Sequence, residues 1–196
     1  MNGNEKIQQL KRQVDDSVLL RQAAFESMGS RLIETAHQIS GVIGAGGKVI
    51  LVGNGSLAAI ADLVTTEFIA RMSSERQRQA LPVMTLGSDA ALITGIGDDY
   101  GFENIYARQI EGLGHKGDLL VVLSITGNSA NLVRAVQVAR DRGLLTTALI
   151  GNQNGRLVSL VDRVLLVQHP LRQRLEEEIL FLLHLLVDVV ERDLLT

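Results

Sequence analysis

A chain of 196 residues with 46% hydrophobic content is of one-domain size and can bury a sizeable core. It has no cysteine, which removes disulfides, zinc–thiolate sites and thiol nucleophiles. With 3% aromatic residues, no tryptophan and a net charge of -3, it offers neither a base-stacking platform nor a cationic face, so no direct nucleic-acid binding is expected.

The start, MNGNEKIQQLKRQ, lacks the apolar run of a secretion signal, and a cytoplasmic location is expected. Two helices are predicted in residues 1–44, the first with Ile7, Leu10, Val14, Val18, Phe25 and Met28 along one stripe. Strands follow at Lys48–Val52, Pro82–Leu86, Leu119–Leu123, Thr146–Ile150 and Val164–Val167. Each is apolar on successive residues, as a parallel strand covered on both faces requires. Helices are expected at Ser56–Met72, Ser88–Ile96, Glu103–Gly112, Ser129–Arg142 and Arg174–Leu194, with Gly143 as a C-terminal stop. Ile179–Val190 is too short to span a membrane and contains His184 and Asp188, so no membrane partner is expected. The alternation implies an α/β fold, a doubly wound five-stranded parallel sheet flanked by helices, forming a single domain over 1–196. Residues 1–44 serve oligomerisation and 45–196 form the core.

Ligands of such sheets bind at the carboxyl ends of the strands. There the sequence places Gly53-Asn54-Gly55-Ser56 after the first strand and Ser124-Ile125-Thr126-Gly127-Asn128-Ser129 after the third. Glycines allow close backbone approach, hydroxyls donate hydrogen bonds, and the following helices present free N–H groups: chemistry suited to a phosphate monoester. An ordinary capped turn is the alternative, with about equal weight for Gly53–Ser56 and less for Ser124–Ser129. Neither loop carries the lysine of a P-loop or a G-x-G-x-x-G pattern, so no nucleotide cofactor is expected.

VGNGS, TTEFIARM, GDDYGFENIYARQ, GHKGDLLVVLSITGNSANLVRAV and RLEEEILFLLHLLVDVVE, in this order and spacing, resemble the sugar-isomerase (SIS) domain family. Within it the likeness is to the phosphoheptose isomerase branch and to the related DnaA initiator-associating protein. The resemblance implies a ketose–aldose isomerase of a phosphorylated sugar, sedoheptulose 7-phosphate, assembled as a homotetramer. It assigns the base to Glu67 and its acid–base partner to His184, with Asn54, Gly55, Ser56, Ser124, Thr126, Ser129, Arg71 and Asp99 holding substrate. It also implies a divalent metal such as zinc, here on Glu67, Glu176 and His184.

The residues themselves leave alternatives open. A carboxylate and an imidazole on largely apolar helices need partners, which a structural polar pair or an interface supplies as well as a ligand does. Glu176, with Glu177 and Glu178, reads first as a solvated acidic turn favoured by the helix dipole. Leu57, Leu63, Ile125 and Gln173 stand where the family has polar groups. These departures favour the alternative function, a non-catalytic sugar-phosphate-binding or regulatory module of the DnaA-associating type. Arg108 matches a family position, with a surface ion pair as its alternative; His37, His115 and His169 have no partner by spacing.

Overall fold

The computed structural model describes residues 2–195. Its elements are α1 (Gly3–Gly44), β1 (Val49–Gly53), α2 (Ser56–Ile69), β2 (Val83–Thr85), α3 (Ala90–Tyr100), α4 (Ala107–Leu113), β3 (Leu119–Ser124), α5 (Ala130–Asp141), β4 (Leu145–Ile150), β5 (Arg163–Leu166) and α6 (Arg172–Leu194). The five strands lie within a residue or two of their expected places and pair in parallel in the order β2-β1-β3-β4-β5. The order reverses between β1 and β3, which opens a crevice at their carboxyl ends.

Successive strand residues serve opposite layers. Val49, Leu51, Val121 and Leu149 join α1, α2 and α6, whereas Ile50, Val52, Val122 and Ala148 join α4 and α5. This two-sided burial explains the unbroken apolar runs. Thr146 and Thr147, both fully buried, bond Asp162 and Gln38.

The amino-terminal region departs from expectation, because one helix of 42 residues replaces the two predicted. No proline interrupts it, and the Phe25 ring packs over Gly29, 3.5 Å from where a Cβ would stand. At 1.5 Å per residue α1 is about 63 Å long. Its buried residues begin at Ala24, and Ile7, Leu10, Val14, Val18 and Phe25 are exposed. Asn2 and Glu5 form a capping box at its start, and His169 Nε2 lies 3.1 Å from Asp16 Oδ2, tying this arm to the segment before α6.

The stretch Glu103–Gly112 is broken into a 3-10 turn, Phe102–Asn104, and the short α4, because the Tyr106 hydroxyl donates to the Gly53 carbonyl and fixes the chain between them. Helix α6 begins two residues earlier than expected. Among the described residues no helix is long and apolar enough to cross a membrane.

Candidate active site

Three helix N-termini meet at the crevice. A cavity of ≈ 140 Å³ is lined by Asn54 and Leu57 from the start of α2, by Ser124, Ile125, Thr126, Ser129 and Leu132 around the start of α5, and by Arg172, the first residue of α6. The N-cap residues of these helices, Gly55, Ser129 and Leu171, make no side-chain cap bond, so the positive dipole ends face the cavity without a capping side chain at those positions. The volume is well below that of a drug-sized pocket, in keeping with a phosphoryl head group.

The loop is rigidly built. Ser124 Oγ accepts from the Gly127 N–H at 2.9 Å, and Thr126 Oγ1 accepts from Asn128 N at 3.2 Å. Gly127 has φ 68°, and a Cβ there would stand 2.9 Å from the Gly155 Cα, so only glycine fits. The side-chain amides of Asn54 and Asn131 exchange hydrogen bonds of 2.9 and 2.8 Å, closing the crevice from β1 to α5. A Cβ on Gly53 would meet the Leu57 backbone at 2.9 Å, which brings α2 hard against its strand.

Glu67 near the end of α2 and His184 in the middle of α6 face each other, with Nε2 3.2 Å from Oε1. The contact lacks hydrogen-bond alignment: His184 Nε2 and Glu67 Oε2 are both buried without a hydrogen-bond partner. Unpartnered polar atoms on two facing titratable groups leave hydrogen-bonding capacity that a ligand could complete. Burial pushes the Glu67 carboxyl above its ordinary range; His184 opposes this and Glu191 adds to it. Tyr106 beneath the first glycine loop is pushed up to about 12 by burial and by Asp62, so it stays a neutral donor to Gly53.

The sequence-predicted residues divide in two groups. Asn54, Ser124, Thr126 and Ser129 line the cavity, Gly55 caps α2 with φ 60°, and Ser56 stands beside Arg172. Arg71 and Asp99 are exposed and are not among the cavity's lining residues, so one chain does not bring them to that cavity. Arg108 pairs with Glu111 at 2.7 Å and lies over the Tyr100 ring, the surface role.

Glu176 is not a solvated turn residue. Its Oε1 accepts from Ser56 Oγ at 2.5 Å and from Arg172 Nε at 2.6 Å, and these two bonds hold its carboxyl below the ordinary range. Leu63 offers no donor, and among the described residues no three histidine, aspartate or glutamate side chains gather where one cation could be held. The set Glu67, Glu176 and His184 is therefore not assembled within a chain, so one chain does not present the three-donor geometry a zinc ion needs.

Arg172 escaped the sequence reading because the helix was expected to start at Arg174, leaving Arg172 as an unremarkable loop cation. The signal available was its i, i+4 spacing to Glu176.

Fold and site together define a doubly wound domain with a small polar cavity at its switch point, where helix N-termini meet, and a Glu–His pair farther along α2 and α6. The sequence matches the SIS domain family over residues 14–151. It is 36% identical over 191 residues to a phosphoheptose isomerase of Methylibium petroleiphilum, covering 96% of this chain and 94% of that one. The structure resembles a phosphoheptose isomerase from Francisella tularensis with TM-score 0.90 and 29% identity, covering 98% and 100% of the two chains. It also resembles one from Neisseria gonorrhoeae with TM-score 0.87 and 29% identity, covering 94% and 98%. The chain belongs to the SIS domain family, in the branch that contains the phosphoheptose isomerases.

Proposed function

We propose that this protein is a phosphoheptose isomerase, interconverting sedoheptulose 7-phosphate and D-glycero-D-manno-heptose 7-phosphate. The observation that carries the chemistry is the Glu67–His184 pair, 3.2 Å apart with a buried orphan atom on each partner. Glu67 takes a proton from C1 of the ketose while His184 gives one to the C2 oxygen, producing an enediol. His184 then takes the proton from the C1 oxygen and Glu67 returns its proton to C2. The raised carboxyl of Glu67 suits a group that must both accept and return a proton.

Geometry favours a long substrate. Glu176 bonds Ser56 at the edge of the phosphate seat, and His184 lies eight residues further along α6, about 12 Å by helical rise. A seven-carbon chain with its ester at one end and carbonyl at the other spans on the order of 10 Å at about 1.5 Å per bond, whereas a triose phosphate falls short. The exposed apolar stripe of α1 supports assembly with further copies, for which the proposal is a homotetramer in the cytoplasm. The test is incubation with sedoheptulose 7-phosphate in deuterated water, following deuterium at C1 and C2 by NMR. Isomerisation with solvent exchange is expected; absence of both abandons the assignment.

A further inference from the structure

Helix α2 ends at Ile69 with no basic residue in its last turn, so the carbonyls of Glu67 and Phe68 need donors from elsewhere. Arg78, in the irregular segment that returns to β2, donates through Nη2 to the Glu67 carbonyl and through Nη1 to the Phe68 carbonyl, each at 2.7 Å, and the Phe68 carbonyl also accepts from the Leu81 N–H at 3.2 Å. The guanidinium is 4% exposed and is held in turn by the fully buried Glu191, whose Oε1 accepts from Nε at 2.8 Å. The other Glu191 oxygen lies 3.2 Å from Arg76, and Arg76 reaches Asp188 at 2.5 Å. Glu191 is seven residues beyond His184, two turns along the same face of α6. A continuous hydrogen-bonded strut therefore joins the backbone of the base to the helix that carries its acid–base partner. Planar, bidentate arginine is suited to this, since one guanidinium serves two carbonyls and a carboxylate in fixed geometry.

We propose that Arg78, anchored by Glu191, is a positioning residue that sets the spacing between Glu67 and His184. It touches no reacting atom, and the inference rests on the isomerase reading given above. Loss of the strut lets the last turn of α2 fray and Glu67 drift, and a displacement of about 1 Å costs on the order of a hundredfold in rate. Sugar-phosphate affinity, set at the other end of α2 and α6, stays unaltered.

The test compares Arg78→Ala, Arg78→Lys and Glu191→Gln with the parent at a temperature where all are folded by circular dichroism. Arg78→Ala is expected to lower kcat about a hundredfold with KM little changed. Lysine, able to reach a single carbonyl, recovers part of the loss; Glu191→Gln, which keeps an acceptor without the charge, gives a smaller loss in the same direction. A general structural role would raise KM as well. If Arg78→Ala fails to fold, the other two variants decide: parental kcat in both, or KM and kcat changing in proportion, overturns the proposal. A crystal structure of a variant gives an answer independent of turnover, since an undisturbed Glu67–His184 spacing sinks the strut even where the parent is active. A parent without turnover, by contrast, sinks the isomerase assignment and the proposal with it.

Discussion

Replacing Glu67 by glutamine removes a base while keeping volume and shape. General acid–base catalysis contributes about a hundred- to ten-thousandfold, so kcat should fall by that factor, about 2.7–5.4 kcal/mol at 1.36 kcal/mol per decade. Stability should move the other way. Because burial raises the Glu67 carboxyl in the fold, ionising it there is unfavourable, and the protein loses stability as pH climbs from the ordinary carboxylate range through that raised value. Above it the cost is fully present, and a neutral amide escapes it. Glu67→Gln is therefore expected to melt no lower than the parent at pH 7 while losing nearly all turnover and all deuterium exchange. In the parent, the kcat–pH profile should rise with pH through an acid limb above the usual glutamate range of about 4.3, and that limb should vanish in any residual activity of the variant. Differential scanning calorimetry and the NMR exchange assay read both halves. A variant that exchanges deuterium at the parental rate refutes the assignment of the base, and one that melts well below the parent refutes the account of its environment.

Arg172→Ala removes the cation at the phosphate seat and releases Glu176 as an uncompensated carboxylate beside it. KM should rise by tenfold or more, as expected for losing about 1.5–3 kcal/mol of charge-assisted bonding, with kcat less affected; inhibition by inorganic phosphate should weaken in parallel, and unaltered inhibition argues that the ester sits elsewhere. At the amino ends of β1 and β3, burial pushes the Asp118 carboxyl up, but donation from the Lys48 ammonium, the Lys48 N–H and the His115 N–H brings it below the ordinary range. Its contribution is thus present above the unfolded carboxylate range and lost as pH falls through the depressed value, so Asp118→Asn should cost about 2 kcal/mol at pH 7 and progressively less in acid, as read from urea melts. Leu10→Glu with Val14→Glu places charge on the exposed stripe of α1 and should lower the assembly mass in sedimentation without loss of helical signal; an unaltered mass shows that another face holds the subunits together.

The sheet was legible because its strands are buried on two faces, so Val49–Val52 or Leu119–Leu123 could be recognised by continuous apolar character alone. The Ser124–Ser129 loop was legible as the turn that lines the cavity because glycine and hydroxyl residues crowd between a strand and a helix. Helix α1 was not, since exposed apolar residues such as Ile7 and Leu10 do not reveal whether a long amphipathic stretch is one helix or two. Glu67 and His184 were found through family likeness, and geometry then showed them in contact. Glu191 and Arg78 carried no periodic signal: one is a charge on an apolar helix, the other lies in an irregular segment, and 113 positions separate them. Charged residues at such separation become partners only once the helices are placed.

The backbone contact between Gly127 and Gly155 bears on how this scaffold could acquire new substrates. A methyl on either glycine would intrude to 2.9 or 2.7 Å on the other's Cα, so the loop after β3, proposed to seat the ester, admits almost no variation in shape. Selection for a different carbohydrate would thus be channelled to the opposite end of the groove, along α2 and α6, where side chains can be exchanged without disturbing that junction. One terminus of the ligand is a fixed reference point, and the length and stereochemistry of everything beyond it are open to change.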